Sequence, residues 1–158
     1  MSYFKNLFSF ILFFLVVIGA TAQNNIMNEK EDIQEVINTM FDGMREGDSS
    51  KVSSVFRKDV RMYSSYRKNT GEAVLHEGAL SEFLKAIGTV HDDIWDEKIY
   101  NTTIQIDGNI AQVWTDYSFY IGETFSHCGV DAFQLVRENS KWLIINLMDT
   151  RRKENCTK

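Results

Sequence analysis

A chain of 158 residues with 22 acidic against 17 basic side chains carries a net charge of −5. That balance excludes a nucleic-acid binder and a polybasic membrane contact, both of which need a basic patch. The length suits one ordinary domain with a real core, and the absence of any Pro excludes a Pro-rich linker.

The first segment reads as a cleavable leader. Lys5 supplies a positive start, Leu7 to Ile18 is apolar but for Ser9, and Gly19-Ala20-Thr21-Ala22 ends in small residues. The apolar run is 12 residues, against roughly 20 for a membrane-spanning helix. No Cys follows it, which argues against a lipoprotein. Residues 1–22 are therefore expected to direct export to the periplasm or medium, with 23–28 a short linker. A single domain is expected over 29–153 and a tail over 154–158. Loss of Lys5 makes the mature charge −6.

From Asn28 to Glu46, Ile33, Val36, Ile37, Met40, Phe41 and Met44 fall at helical spacing, with Gly47 as a stop. Asp48-Ser49-Ser50 can cap a second, short helix through about Phe56. Val60 to Tyr66 alternates as a strand, Val60, Met62 and Ser64 sharing one face. Lys68 to Gly71 is a turn and Ala73 to His76 a short return strand. Gly78 to about Val90 forms a third helix burying Leu80, Phe83, Leu84 and Ile87. Four strands follow: Lys98 to Ile106, Ile110 to Ile121, Phe125 to Arg137 and Trp142 to Arg151. Asp107-Gly108-Asn109, Gly122-Glu123 and Glu138-Asn139-Ser140 supply the turns. Short turns make these strands antiparallel neighbours, and the block order gives an α+β fold. A long antiparallel sheet curls, and helices covering part of it leave a pocket.

Within these strands some residues carry chemistry. His127 and Asp131 are four apart on one strand, so they share a face about 13 Å apart. A tight turn at Glu138 to Lys141 sets Arg137 opposite Trp142. That register puts Asp131 opposite Met148, and His127 near Arg152. His127 has the pKa range for proton transfer; the alternative is an edge His paired with an acid. Asp149 in an apolar pocket would be an acid or base; the alternative is an ion pair with Arg137, Arg151 or Arg152. Asp116 shares a face with Trp114, so both face the pocket or neither does. Trp95 is expected at the pocket rim, with Tyr117 and Phe133 lining it and Trp142 in the core. Asn101-Thr102-Thr103 matches a glycosylation sequon in a strand, read as chance. No Ser-His-Asp order, Gly-rich phosphate loop or metal-ligand cluster is present.

Two Cys, Cys128 and Cys156, allow one disulfide in an oxidising compartment, or two free thiols. The bonded form would tie the C-terminal tail to the sheet.

The element order, together with Ser126-His127-Cys128-Gly129-Val130-Asp131-Ala132-Phe133-Gln134-Leu135, Trp142-Leu143-Ile144 and Asp149-Thr150-Arg151-Arg152, resembles the nuclear transport factor 2-like superfamily. Within it the likeness is to the "putative lumazine-binding" branch, near the SnoaL-type cyclases and ketosteroid isomerases. Met40 to Asp48 and Val113 to Tyr120 agree with it. The resemblance implies three N-terminal helices on a strongly curved antiparallel sheet, a cystatin-like cone with a pocket, and a homodimer through the outer sheet face. The isomerases' acid pair and tyrosine have no full match here. Three functions follow as expectations. The first is an exported, cofactor-free binder of a small hydrophobic or aromatic molecule. The second is an enzyme (cyclase, isomerase or dehydratase) using His127 with Asp131 or Asp149. The third is a dimeric interaction module.

Overall fold

The computed structural model describes residues 27–156. The expected leader, residues 1–22, lies outside the described residues. Helix α1 covers 27–46 and buries Ile33, Ile37, Met40, Phe41 and Met44 along one stripe. Gly47 ends it at φ +69°, a left-handed turn that suits glycine. Asp48 then caps α2 (Ser49–Ser53), its carboxylate accepting from the amides of Ser50 and Lys51 at 2.9 Å each. This helix stops short of Phe56 because sheet pairing takes over: Ile144 N donates to Val55 O at 2.9 Å.

The remaining elements are β1 (Phe56–Arg67), β2 (Ala73–Gly78), α3 (Leu80–Ile87), β3 (Trp95–Asp107), β4 (Ile110–Ile121), β5 (Thr124–Glu138) and β6 (Lys141–Arg151). One six-stranded sheet runs β2-β1-β6-β5-β4-β3. The four last strands pair antiparallel in sequence, as their short turns require. The expectation of a wholly antiparallel sheet is corrected at one seam, where β1 runs parallel to β6. The helices do not all precede the sheet either, since α3 connects β2 to β3. Among the described residues no helix is long and apolar enough to cross a membrane.

The inner face of the sheet is the one that α1 covers. Val113, Phe133, Leu135, Trp142, Ile144 and Leu147 form the core there with the apolar stripe of α1. Phe41 meets Phe133 edge to face, ring centres 6.2 Å apart. Both ends of α1 are fastened to strands, by Glu29 to Arg137 and by Arg45 to Asp96, each at 2.8 Å.

Three bulges decide which side chains reach this face. Between β5 and β6 the register shifts: Leu135 pairs with Ile144, but Gln134 pairs with Asn146, leaving Ile145 unpaired. One extra residue inverts the alternation of everything beyond it. Leu147, Asp149 and Arg151 therefore share the inner face with Ile144, and Met148 turns outward at 38 % exposure. The expected pairing of Asp131 with Met148 is corrected by this one residue, and Asp131 stands opposite Asp149. Between β4 and β5 the pairing shifts after Phe119–His127, leaving Ser126 as the extra residue. Between β3 and β4 it shifts at Asn101, whose φ of 57° marks the bulge.

Candidate functional site

Beyond the core, the same inner face opens into a cavity of about 1700 Å³. Typical small-molecule sites hold roughly 300–1,000 Å³. Its walls come from α1 (Met40, Phe41, Met44), α3 (Phe83), β1, β2 and the inner faces of β3 to β6.

The polar floor is built by cross-strand rows. Asp131 on β5 stands opposite Asp149 on β6, and Asp149 opposite Ser64 on β1. Ser64 Oγ donates to Asp149 in a short hydrogen bond. Arg151 Nε donates to Asp149 at 2.7 Å, and its Nη2 to Ser64 Oγ at 3.0 Å. Asp149 is thus ion-paired, but inside the cavity rather than on an outer surface.

Tyr117 on β4 crosses above this row and donates to Thr150 O at 2.9 Å, its hydroxyl also lying 3.5 Å from Asp149 Oδ2. That path exists because residue 129 is glycine. A Cβ at Gly129 would stand 1.7 Å from Thr150 O and 2.6 Å from Tyr117 Cε1. Burial, then the charges of Glu97, Asp149 and Asp131, push the Tyr117 phenol well above its ordinary range.

Asp131 is 3 % exposed, and no hydrogen-bond donor reaches its Oδ2. Its neighbour is Glu97 of β3, whose carboxyl comes within hydrogen-bonding reach. Two carboxylates cannot sit together in an apolar wall without a shared proton. Burial is the largest cause of the shift in both. It raises Asp131 well above its ordinary value, the charge of Glu97 adding to it, and it raises Glu97 to about 7. Burial and mutual repulsion thus both favour a form of the pair that keeps a proton.

His127 lies two pleats from Asp131, on the same face. Its Nδ1 bonds Ser126 Oγ at 3.0 Å, and its ring packs against Phe119 and Tyr117, at 5.1 and 5.7 Å. Burial first, then the charge of Arg151, lowers its pKa, with Asp149 opposing and Lys153 adding to the shift. No carboxylate is bonded to it among the described residues. In register, Glu97 pairs with Phe119 and Phe119 with His127, so the Phe119 ring separates the acid from the imidazole. Trp95 closes the far wall, stacked 4.0 Å from the His91 ring and edge-on to Phe119.

Of the residues singled out from sequence, the structure thus brings His127, Asp131, Asp149, Trp95 and Tyr117 to one cavity. Three others are placed elsewhere. Trp114, 57 % exposed, and Asp116 point to the outer face, where Asn101 Nδ2 donates to Asp116 at 2.9 Å. They alternate with Thr115 and Tyr117, which take the inward positions. Phe133 is 1 % exposed in the core beneath α1 and does not line the cavity. Cys128 and Cys156 are joined, with Cα atoms 5.8 Å apart. Glu97 and Ser64 went unremarked as site residues. Starting the strand at Trp95 rather than Lys98 would have placed Glu97 on the face of Ile99. Among the described residues, no group of three or more His, Cys, Asp or Glu side chains has a metal-holding arrangement.

A helix-backed sheet of this order, with a cavity on its inner face, has the cystatin-like fold seen in nuclear transport factor 2-like proteins. Solved structures agree. A nuclear transport factor 2-like protein of unknown function from Shewanella baltica matches with TM-score 0.61 at 17 % identity, over 81 % of this chain and 97 % of that one. One with a cystatin-like fold from Novosphingobium aromaticivorans matches with TM-score 0.68 at 14 % identity, over 86 % and 90 %. A protein described as a putative scytalone dehydratase from the same organism matches with TM-score 0.66 at 15 % identity, over 82 % and 88 %. Identities this low show the fold alone. Within the fold, the chain belongs to the "Putative lumazine-binding" family, whose model matches residues 28–148. No curated protein matches this chain.

Proposed function

We propose that this chain is an exported small-molecule-binding protein whose cavity takes an aromatic or hydrophobic body along its walls and a hydrogen-bonding group at its floor. The observation that carries this reading is the cavity of about 1700 Å³ whose lining joins the rings of Trp95 and Phe119 to the polar groups of His127, Asp149 and Arg151. The Arg151–Asp149 pair at the floor offers a ligand both a donor and an acceptor. The aromatic rings of Trp95 and Phe119 give the body its contact surface. The likeness to a family named for lumazine binding supports a small-molecule site, not that ligand.

In the same reading residues 1–22 direct export and are removed, leaving the 23–28 linker, the 29–153 domain and the 154–158 tail. The sheet curls into a cone around the cavity. Two copies pair through the outer face, where Trp114 and Met148 border a groove of about 540 Å³. Small molecules recovered with the protein from its native host and identified by mass spectrometry test the main claim. The recovered compound should raise the melting temperature of stripped protein when returned. Recovery of nothing, and no thermal response to aromatic compounds, would count against it.

One observation favours a second reading, a cofactor-independent cyclase, isomerase or dehydratase. Glu97, whose pKa burial raises to about 7, and His127, whose pKa burial lowers, line the same cavity with the Phe119 ring between them. A carboxyl and an imidazole that can both exchange protons with one bound molecule are what such catalysis needs. The dehydratase description of one structural relative supports the same idea. Incubating the recovered compound with the protein separates the readings: a binder returns it unchanged, an enzyme alters its mass or its isomer.

A further inference from the structure

We propose that the C-terminal tail is a wall of the binding cavity, pinned there by the Cys128–Cys156 bond, and that its Lys153 holds an anionic group on the ligand. This rests on the small-molecule reading above and adds the ligand's charge to it.

The tail continues β6 past its end. Cys128 N donates to Arg152 O at 2.8 Å and Arg152 N to Cys128 O at 2.9 Å, extending the register of Asp131 and Asp149. Four residues later Cys156 bonds Cys128 itself. The segment between is therefore fastened at both ends, and Arg152, Lys153, Glu154 and Asn155 all line the cavity. Without the disulfide, only the single bridge at Arg152 would hold it.

The charge assignment follows by accounting for each ionic group near this wall. Arg151 is committed to Asp149 and Ser64, and Arg152 Nε donates to Asn155 O at 3.4 Å. Asp149 is matched by Arg151, and Asp131 has the Glu97 carboxyl as its neighbour. Lys153 has no carboxylate in any ion pair of the described residues, and continuation of the register brings it level with His127. Glu154 is the one acid on the same segment lining the cavity. An aromatic body resting on Phe119 and His127 would place a carboxylate, sulfonate or phosphate against the Lys153 ammonium group.

Two dyes of similar size test this on the oxidised protein from residue 23 onward, as it stands after removal of the leader. 8-Anilinonaphthalene-1-sulfonate is an aromatic anion, and N-phenyl-1-naphthylamine is its uncharged relative. Lys153→Gln should weaken the sulfonate about fivefold, the scale of one part-exposed ion contact, and leave the neutral dye unchanged. The double variant Cys128→Ser/Cys156→Ser, with its fold checked by near-ultraviolet circular dichroism, should weaken the sulfonate at least as much. If Lys153→Gln leaves both affinities unchanged, or lowers both equally, the role of Lys153 is wrong while the cavity reading stands. If neither dye binds the wild-type protein, the cavity reading itself fails. The lysine variant alone decides the charge claim should the double variant not fold.

Discussion

The inner face of the sheet is two surfaces made by the same four strands. At the end under α1, Val113, Phe133, Leu135 and Ile144 are at most 1 % exposed and meet only apolar neighbours. At the other end the same alternation sets His127, Asp149 and Arg151 along a cavity, with Tyr117 and Asp131 buried behind them. The first surface is stabilised by its contacts. In the second, two acids are held where their charged forms are disfavoured. What divides them on β6 is the Ile145 bulge, which keeps the inward side apolar through Leu147 and then turns Asp149 in. Stability therefore resides at one end of the sheet and chemistry at the other.

Substitutions should respect that division. The largest effect is expected from Phe133→Ala, which removes the ring that meets Phe41. It should lower unfolding free energy by about 3–5 kcal/mol in denaturant titration. Gly129→Ala comes next, roughly 1–3 kcal/mol for forcing a methyl between Thr150 O and Tyr117. It should also weaken ligand binding, since Tyr117 must move. A Gly129→Ala protein as stable as wild type would show that Tyr117 does not cross strand β5 as described.

At the cavity end the expected sign reverses. Glu97 and Asp131 both have folded pKa values raised above their ordinary ones, chiefly by burial. For such acids folding is favoured while both states keep the proton, and that contribution is lost as pH rises towards the folded value. For Glu97 the loss runs from about 4.5 to about 7. The melting temperature should therefore fall between pH 5 and pH 8, and Asp131→Asn should flatten the fall while reducing ligand affinity. The smallest effect belongs to the outer face. Trp114→Ser should change the stability of a monomer by under about 0.5 kcal/mol and leave cavity binding intact.

Much of this was legible before the structure, for reasons particular residues make plain. Asp107-Gly108-Asn109 limits β3 and β4 because a two-residue turn fixes its flanking pair, Asp107 with Ile110. The stripe of Ile33, Ile37, Met40, Phe41 and Met44 announces α1 because only a helix gathers that spacing. Bulges announce themselves in no comparable way. Ile145 looks like any strand isoleucine, so a plain alternation sends Met148 inward and Asp149 out. The Trp114 and Tyr117 pair shows the same limit: alternation says they face opposite ways, but not which one faces in. Glu97 was missed because polar Asp96 and Lys98 beside it blur the start of β3. The parallel seam between β1 and β6 joins segments too far apart in sequence for any turn to signal it.

The cavity floor is expected to hold a proton between Glu97 and Asp131. Carbon-13 NMR titration of side-chain carboxyls, assigned with Glu97→Gln and Asp131→Asn, reads it directly. The account predicts coupled transitions for these two groups, with Glu97 near pH 7 and Asp131 well above its ordinary value. Independent titration of both in the ordinary carboxylate range, about 4, would contradict it.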